Sequence, residues 1–248
     1  MTTKAAPQKI PVMVAVPSVD GNVNFSIAGM FAWAMRASAD PAFPFSFGCH
    51  VEPGVRPIEY ARNRITKKFM AETAAEWLLM IDADQVVPQN FWEILAVANA
   101  DIVSGLTYTW MGAGEPQTML RVNQYGVDGS NQCFNLTPPD GAIATKAPYF
   151  VPVIGTGCIA IRRKVFEKMG DEPWYFTRLS NGKTRGGEDI NFSVEASRHG
   201  FTIAVHPGVV FGHVKPIDIT QIASFYQARH DFDCQGFEAT PAQMLSIG

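Results

Sequence analysis

The sequence lacks the features that would commit it to a membrane, a disulfide framework or a nucleic-acid backbone. Its opening residues, Met-Thr-Thr-Lys-Ala-Ala-Pro-Gln-Lys, hold no continuous apolar core of the signal-peptide kind. No later apolar run approaches the roughly 20 residues that cross a bilayer. A soluble, cytoplasmic protein without a membrane span is the expectation. The four cysteines, Cys49, Cys133, Cys158 and Cys234, lie far apart with no Cys-x-x-Cys pair, which argues against a zinc knot and a compact disulfide scaffold. A net charge of -3 offers polyanions no global attraction, so nucleic-acid binding would need a local basic patch. Internal repeats and low-complexity tracts are also missing.

What is present is 47% hydrophobic content over 248 residues, enough to bury one substantial core. We expect a single domain over residues 1–248, with residues 1–9 a flexible tail and 217–248 a C-terminal helical extension. Apolar, β-branched runs at 10–16, 45–51, 77–81 and 101–108 read as strands. Helical patterns fall between them, at 27–39, after Pro57 with Ile58, Ala61, Ile65 and Phe69 on one face, and from Pro88 through Phe91, Ile94, Leu95 and Ala98. This alternation predicts an α/β fold, a mixed but mostly parallel sheet flanked by helices, with ligands beyond the carboxyl ends of the strands. Further on, 111–148 reads as short polar strands, 151–161 as one apolar strand interrupted at Gly155-Thr156-Gly157, and 162–169 as a short helix. Then come a polar loop at 177–187, a helix at 188–199, and strands at 201–205 and from 209 to His213.

The chemistry concentrates at a few points. Asp82 and Asp84 follow a buried strand directly, and residues two apart in extended chain point the same way, so both carboxylates can converge on one cation. Oxygen ligands at a strand end suit Mg²⁺ or Mn²⁺, which also hold substrate phosphates. The competing reading is a solvated turn with a helix cap. Glu188 and Asp189, behind Gly186-Gly187 at a predicted helix start, offer a general base, although acids in a first helical turn are also stabilised by its free N–H groups. His213 can complete a cation site through its imidazole.

Taken in order, residues 12–18, Ala61-Arg62-Asn63, Asp82-Ala83-Asp84, Gly155-Thr156-Gly157, Gly187-Glu188-Asp189 and Gly212-His213 give the chain a resemblance. It resembles the GT-A fold glycosyltransferases, particularly the compact family-two-like ones often encoded by bacteriophages. The resemblance implies that Asp84 and His213 hold Mn²⁺ or Mg²⁺ on the donor diphosphate, with Asp82 at the ribose or a metal-bound water. It implies that Pro17, Ser18, Arg62 and Asn63 meet the nucleotide, and that Gly155, Thr156 and Gly157 line the acceptor side. Asp189 would be the base of an inverting transfer and Glu188 an acceptor or loop contact. The donor would be a nucleotide sugar, a UDP-sugar first, and the acceptor a glycan or a hydroxymethylated DNA base. For Arg62 a helix-surface salt bridge is the alternative.

A nucleotidyltransferase is the rival enzyme, but Pro17-Ser18-Val19-Asp20-Gly21-Asn22 lacks the basic, Gly-rich phosphate loop that one would need. A degenerate nucleotide-binding module is the non-enzymatic alternative. DNA as acceptor would require Arg162, Arg163, Lys164, Arg178, Lys183 and Arg185 to form a basic surface.

Overall fold

The computed structural model describes residues 8–110, 120–128, 133–178, 184–214 and 227. The chain divides into two compact units, Met1–Thr107 with Val122–Val214, and Tyr108–Arg121 with Lys215–Gly248. Every candidate site residue belongs to the first. The predicted extension at 217–248 lies outside the described residues apart from Gln227, as do residues 1–7 of the predicted tail.

The first unit starts with β1 (Ile10–Ser18), α1 (Phe25–Ala39), β2 (Phe45–Pro53), α2 (Ile58–Glu72), β3 (Trp77–Ile81) and a two-residue β4 (Gln85–Val86). Next come β5 (Ile102–Trp110), β6 (Leu120–Val122), β7 (Gln124–Val127), β8 (Cys133–Asn135), α3 (Ala142–Thr145), β9 (Tyr149–Phe150), β10 (Val153–Ile154) and β11 (Cys158–Arg162). The described chain closes with α4 (Arg163–Met169), β12 (Thr177–Arg178), β13 (Thr184–Gly186), α5 (Glu188–Arg198) and β14 (Ile203–His213).

The main sheet runs in the order β2-β1-β3-β11-β5-β14-β4. β1 lies parallel to β2 and β3, and β14 parallel to β5, while β11 is inserted antiparallel between β3 and β5. Alternation places Val12, Val14, Val16, Leu79 and Ile81 in one core with Ile27, Met30 and Ala34 of α1. α2 packs on β1, and its Phe69 meets Phe166 of α4 edge-on, with ring centroids 5.8 Å apart. Trp174 stacks on Phe192 of α5 at 4.0 Å. Full burial of each such ring is worth on the order of 2–3 kcal/mol, and these aromatic layers are what hold the helices in place.

Three elements differ from the sequence reading. The helix expected from Pro88 is only a 3₁₀ turn at Phe91–Ala96, because Val97 turns to extended backbone and Asn99 takes a left-handed φ of 62°. The single strand expected over 151–161 is two: β10 joins a separate sheet with β7 and β8, and only β11 enters the main sheet. Apolar content alone does not separate two strands buried in different sheets. The two strands expected at the end are one, β14, with a register shift between His206 and Val210. The predicted loop at 177–187 opens and closes on the β12–β13 pair, and residues 179–183 lie outside the described residues.

Candidate active site

Asp82 and Asp84 stand just past the carboxyl end of β3. Asp82 N–H donates to the Gly157 carbonyl at 2.9 Å, so the turn entering β11 fixes the first aspartate. A Cβ on Gly157 would come within 3.0 Å of the Gln85 carboxamide, and one on Gly155 within 1.8 Å of Asn123. A side chain at Gly155 would have to displace the Asn123 carboxamide, and one at Gly157 would press on Gln85. Asn24, the N-cap of α1, sends its carboxamide to the carbonyls of Ala83 (3.0 Å) and Gln85 (2.6 Å). It therefore holds the aspartate loop against α1.

His213 ends β14, which pairs with β4 so that His213 stands opposite Gln85, and Val214 N–H donates to the Asp84 carbonyl at 2.9 Å. Gly212 permits this pairing, since a Cβ there would lie 2.9 Å from that of Val86. The outcome is that His213 Nε2 sits 3.1 Å from Asp84 Oδ2, across 129 positions of sequence. Among the described residues no three His, Cys, Asp or Glu side chains gather to hold a metal by themselves. One carboxylate oxygen beside one imidazole nitrogen does suit a cation whose remaining positions go to phosphate oxygens and water.

Pro17, Ser18, Asp82 and Asp84 line one open cleft of about 410 Å³, with Val19, Asp20, Arg56, Ile58 and Ala83. Ser18 is buried, and its hydroxyl donates to the Asn22 carbonyl at 2.5 Å and faces Asp20 Oδ1 at 3.1 Å. Its side chain thus serves the turn after β1.

Arg62 and Asn63, which the resemblance put at the nucleotide, are both engaged within the protein. Both ends of the Asn63 carboxamide are spent on the backbone of Trp174, at 2.8 and 3.0 Å, so it pins the segment before β12. Arg62 is not a surface salt bridge: it is 2% exposed and bridges Asp82 Oδ1 (2.8 Å) and Glu188 Oε1. Burial opposes its charge, but Asp82 and Glu188 together outweigh that and hold its pKa above the usual value. Glu188 is accordingly a partner of Arg62. Burial pushes the Asp82 carboxyl up, with Arg62 pulling the other way.

Asp189 follows at the start of α5, its Oδ1 accepting from Ile190 N–H at 2.8 Å. A Cβ on Gly187 would stand 2.6 Å from that oxygen, which explains the second glycine before the acidic pair. Burial first, and then the charge of Glu188, raise the Asp189 carboxyl above the ordinary carboxylate range. That is the direction a general base near neutral pH requires.

The basic surface that DNA would need is spent where it is described. Arg162 pairs with Glu76, Lys164 with Asp101 at 2.5 Å, and Arg163 donates to the carbonyls of Phe69, Thr73 and Ala75. The Arg178, Lys183 and Arg185 side chains lie outside the described residues.

The chain belongs to the family described as glycosyltransferase like family 2, which matches residues 49–229, and it is a glycosyltransferase. Its fold is the GT-A, Rossmann-like arrangement of a mixed sheet with flanking helices. Among solved structures it is similar to A197 from STIV, with a TM-score of 0.53 and 17% identity over 83% of this chain and 86% of that one. A weaker likeness is to GalNAc-T7 with UDP, GalNAc and Mn²⁺, at a TM-score of 0.49 and 14% identity over 84% of this chain and 43% of that one. No curated protein matches. Among the described residues no helix is long and apolar enough to cross a membrane.

Proposed function

We propose that the protein transfers a sugar, with inversion and with the help of a divalent cation, from a nucleotide-sugar donor to an acceptor hydroxyl. The observation that carries this reading is the meeting of Asp84 and His213 at 3.1 Å beside the cleft that Pro17, Ser18 and Asp82 line. Mn²⁺ or Mg²⁺ held by Asp84 and His213, with Asp82 alongside, would supply positive charge for the departing nucleoside diphosphate. The chain's own residues do the rest. Arg62 orients Asp82 from behind and offsets part of the cost that burial puts on its charge. Asp189, made more basic by burial, takes the proton of the acceptor hydroxyl as that oxygen attacks the anomeric carbon. The Gly155-Thr156-Gly157 turn, fixed to Asp82 through the Gly157 carbonyl, forms the acceptor side. A UDP-sugar is the first donor to try. A glycan hydroxyl is the favoured acceptor over a DNA base, because Arg162, Arg163 and Lys164 are already engaged.

The test is a screen of UDP-, GDP-, ADP- and CDP-sugars for release of nucleoside diphosphate, with Mn²⁺ and with a chelator. Release of one diphosphate that stops on chelation is expected. Equal release from all donors with chelator present, or none from any, would remove the reading.

A further inference from the structure

The donor cleft has an unusual charge balance. Its lining carries three carboxylates, Asp20, Asp82 and Asp84, and a single cation, Arg56. Asp20 is committed to its own turn, accepting from Asn22 N–H at 3.0 Å and from the Asn22 carboxamide at 3.0 Å, and these bonds, the carboxamide's first, hold its pKa below the usual value. Asp82 is matched by Arg62, but that guanidinium is enclosed between Asp82 and Glu188 and cannot reach a ligand. Arg56 differs: it is exposed, and it has no hydrogen bond or ion pair among the described residues. The exposed arginine of α2, Arg64, is used up by Glu52 at 2.9 Å.

This inference rests on the donor reading above. The two phosphates of a nucleotide sugar bring two negative charges, and Asp84 already offsets half the charge of a divalent cation placed beside it. One phosphate charge is left unanswered in a cleft whose other ionised groups are acidic. We infer that Arg56 answers it, binding the donor diphosphate through its planar guanidinium and making the cleft select diphosphate donors. A forked guanidinium meets two phosphate oxygens at once, which a lysine ammonium does not.

The experiment is calorimetric titration of the whole chain with UDP, GDP, ADP and CDP in the presence of Mn²⁺, carried on with the tightest binder. Arg56→Ala should weaken that binder about tenfold and Arg56→Lys by less, both with unchanged melting temperature. Arg64→Ala, which removes the same charge on the outer face of α2, should stay within about twofold. If Arg56→Ala also stays within twofold while the wild type binds, the inference fails and the donor reading survives. Equal weakening by Arg56→Ala and Arg64→Ala would reduce the effect to surface charge and also overturn it. If the wild type binds none of the four diphosphates, the donor reading falls and takes Arg56 with it.

Discussion

Two charged regions occupy opposite ends of β3 and β11. At the amino end of β3 lies a cavity of about 780 Å³, nearly twice the volume of the cleft beside Asp82 and Asp84, lined by three acids, Glu76, Asp101 and Glu167, and three bases, Arg162, Arg163 and Lys164. There the charges cancel: Arg162 meets Glu76 and also covers Trp77 at 4.2 Å, Lys164 meets Asp101, and Arg163 ties down the end of α2. At the carboxyl end gather four carboxylates, Asp82, Asp84, Glu188 and Asp189, with one buried arginine bridging Asp82 and Glu188 and the His213 imidazole beside Asp84, and two of the four carboxyls are raised. Cavity size alone favours the amino end. The excess of carboxylates over cations favours the carboxyl end as the proposed site, because that excess is charge that a cation or substrate can meet.

The sharpest way to test this contrast is Asp189→Asn, which should lower transfer by about 10² to 10⁴ while nucleoside diphosphate binding persists. The same change should make the protein more stable at neutral pH. A carboxyl with a raised folded-state pKa contributes stability below its unfolded pKa and loses it as pH rises through the folded one. Urea titrations at acid and neutral pH would see this, and a variant that is slow but no more stable would mean that the carboxylate is not strained. For the wild type, transfer should fall as pH drops through that raised value, giving an acid limb that Asp189→Asn lacks.

Arg62→Met comes next. It leaves a buried Glu188 and a part-buried Asp82 without their cation, at a cost of about 3 kcal/mol by denaturant titration. Gly155→Ala should cost about 1–3 kcal/mol, since its methyl overlaps the Asn123 carboxamide, and Asn123→Ala should recover part of that loss. At the other end Lys164→Ala, whose side chain is 56% exposed, should change stability by less than about 1 kcal/mol and leave transfer untouched. A large effect from Lys164→Ala would erase the distinction between the two ends.

Much of the carboxyl end was readable in the sequence for a physical reason. An apolar run ending in two acids marks a strand end, and Asp82, Asp84, Pro17 and Ser18 do line one cleft. The glycines beside Asp189, Cys158 and His213 were visible too, though the atoms they make room for were not. The buried bridge of Arg62 was not legible because its partners lie 20 and 126 positions away, and nothing local separates a buried bridge from a surface one. The tie from Asn63 to Trp174 was hidden similarly, its partner being 111 residues on. Asn24 went unseen although Asn before a helix is an N-cap signal, because the helix was expected to start at Ile27 rather than Phe25. Arg56 carries no local signal at all and emerges only when the cleft's charges are counted.

The most direct test of the central claim is a crystal soaked with Mn²⁺ and a nucleoside diphosphate, read by anomalous scattering. The account predicts one Mn²⁺ peak within about 2.0–2.3 Å of Asp84 Oδ2 and His213 Nε2, with phosphate oxygens completing its shell. A peak away from that pair, or nucleotide bound without metal, would contradict it.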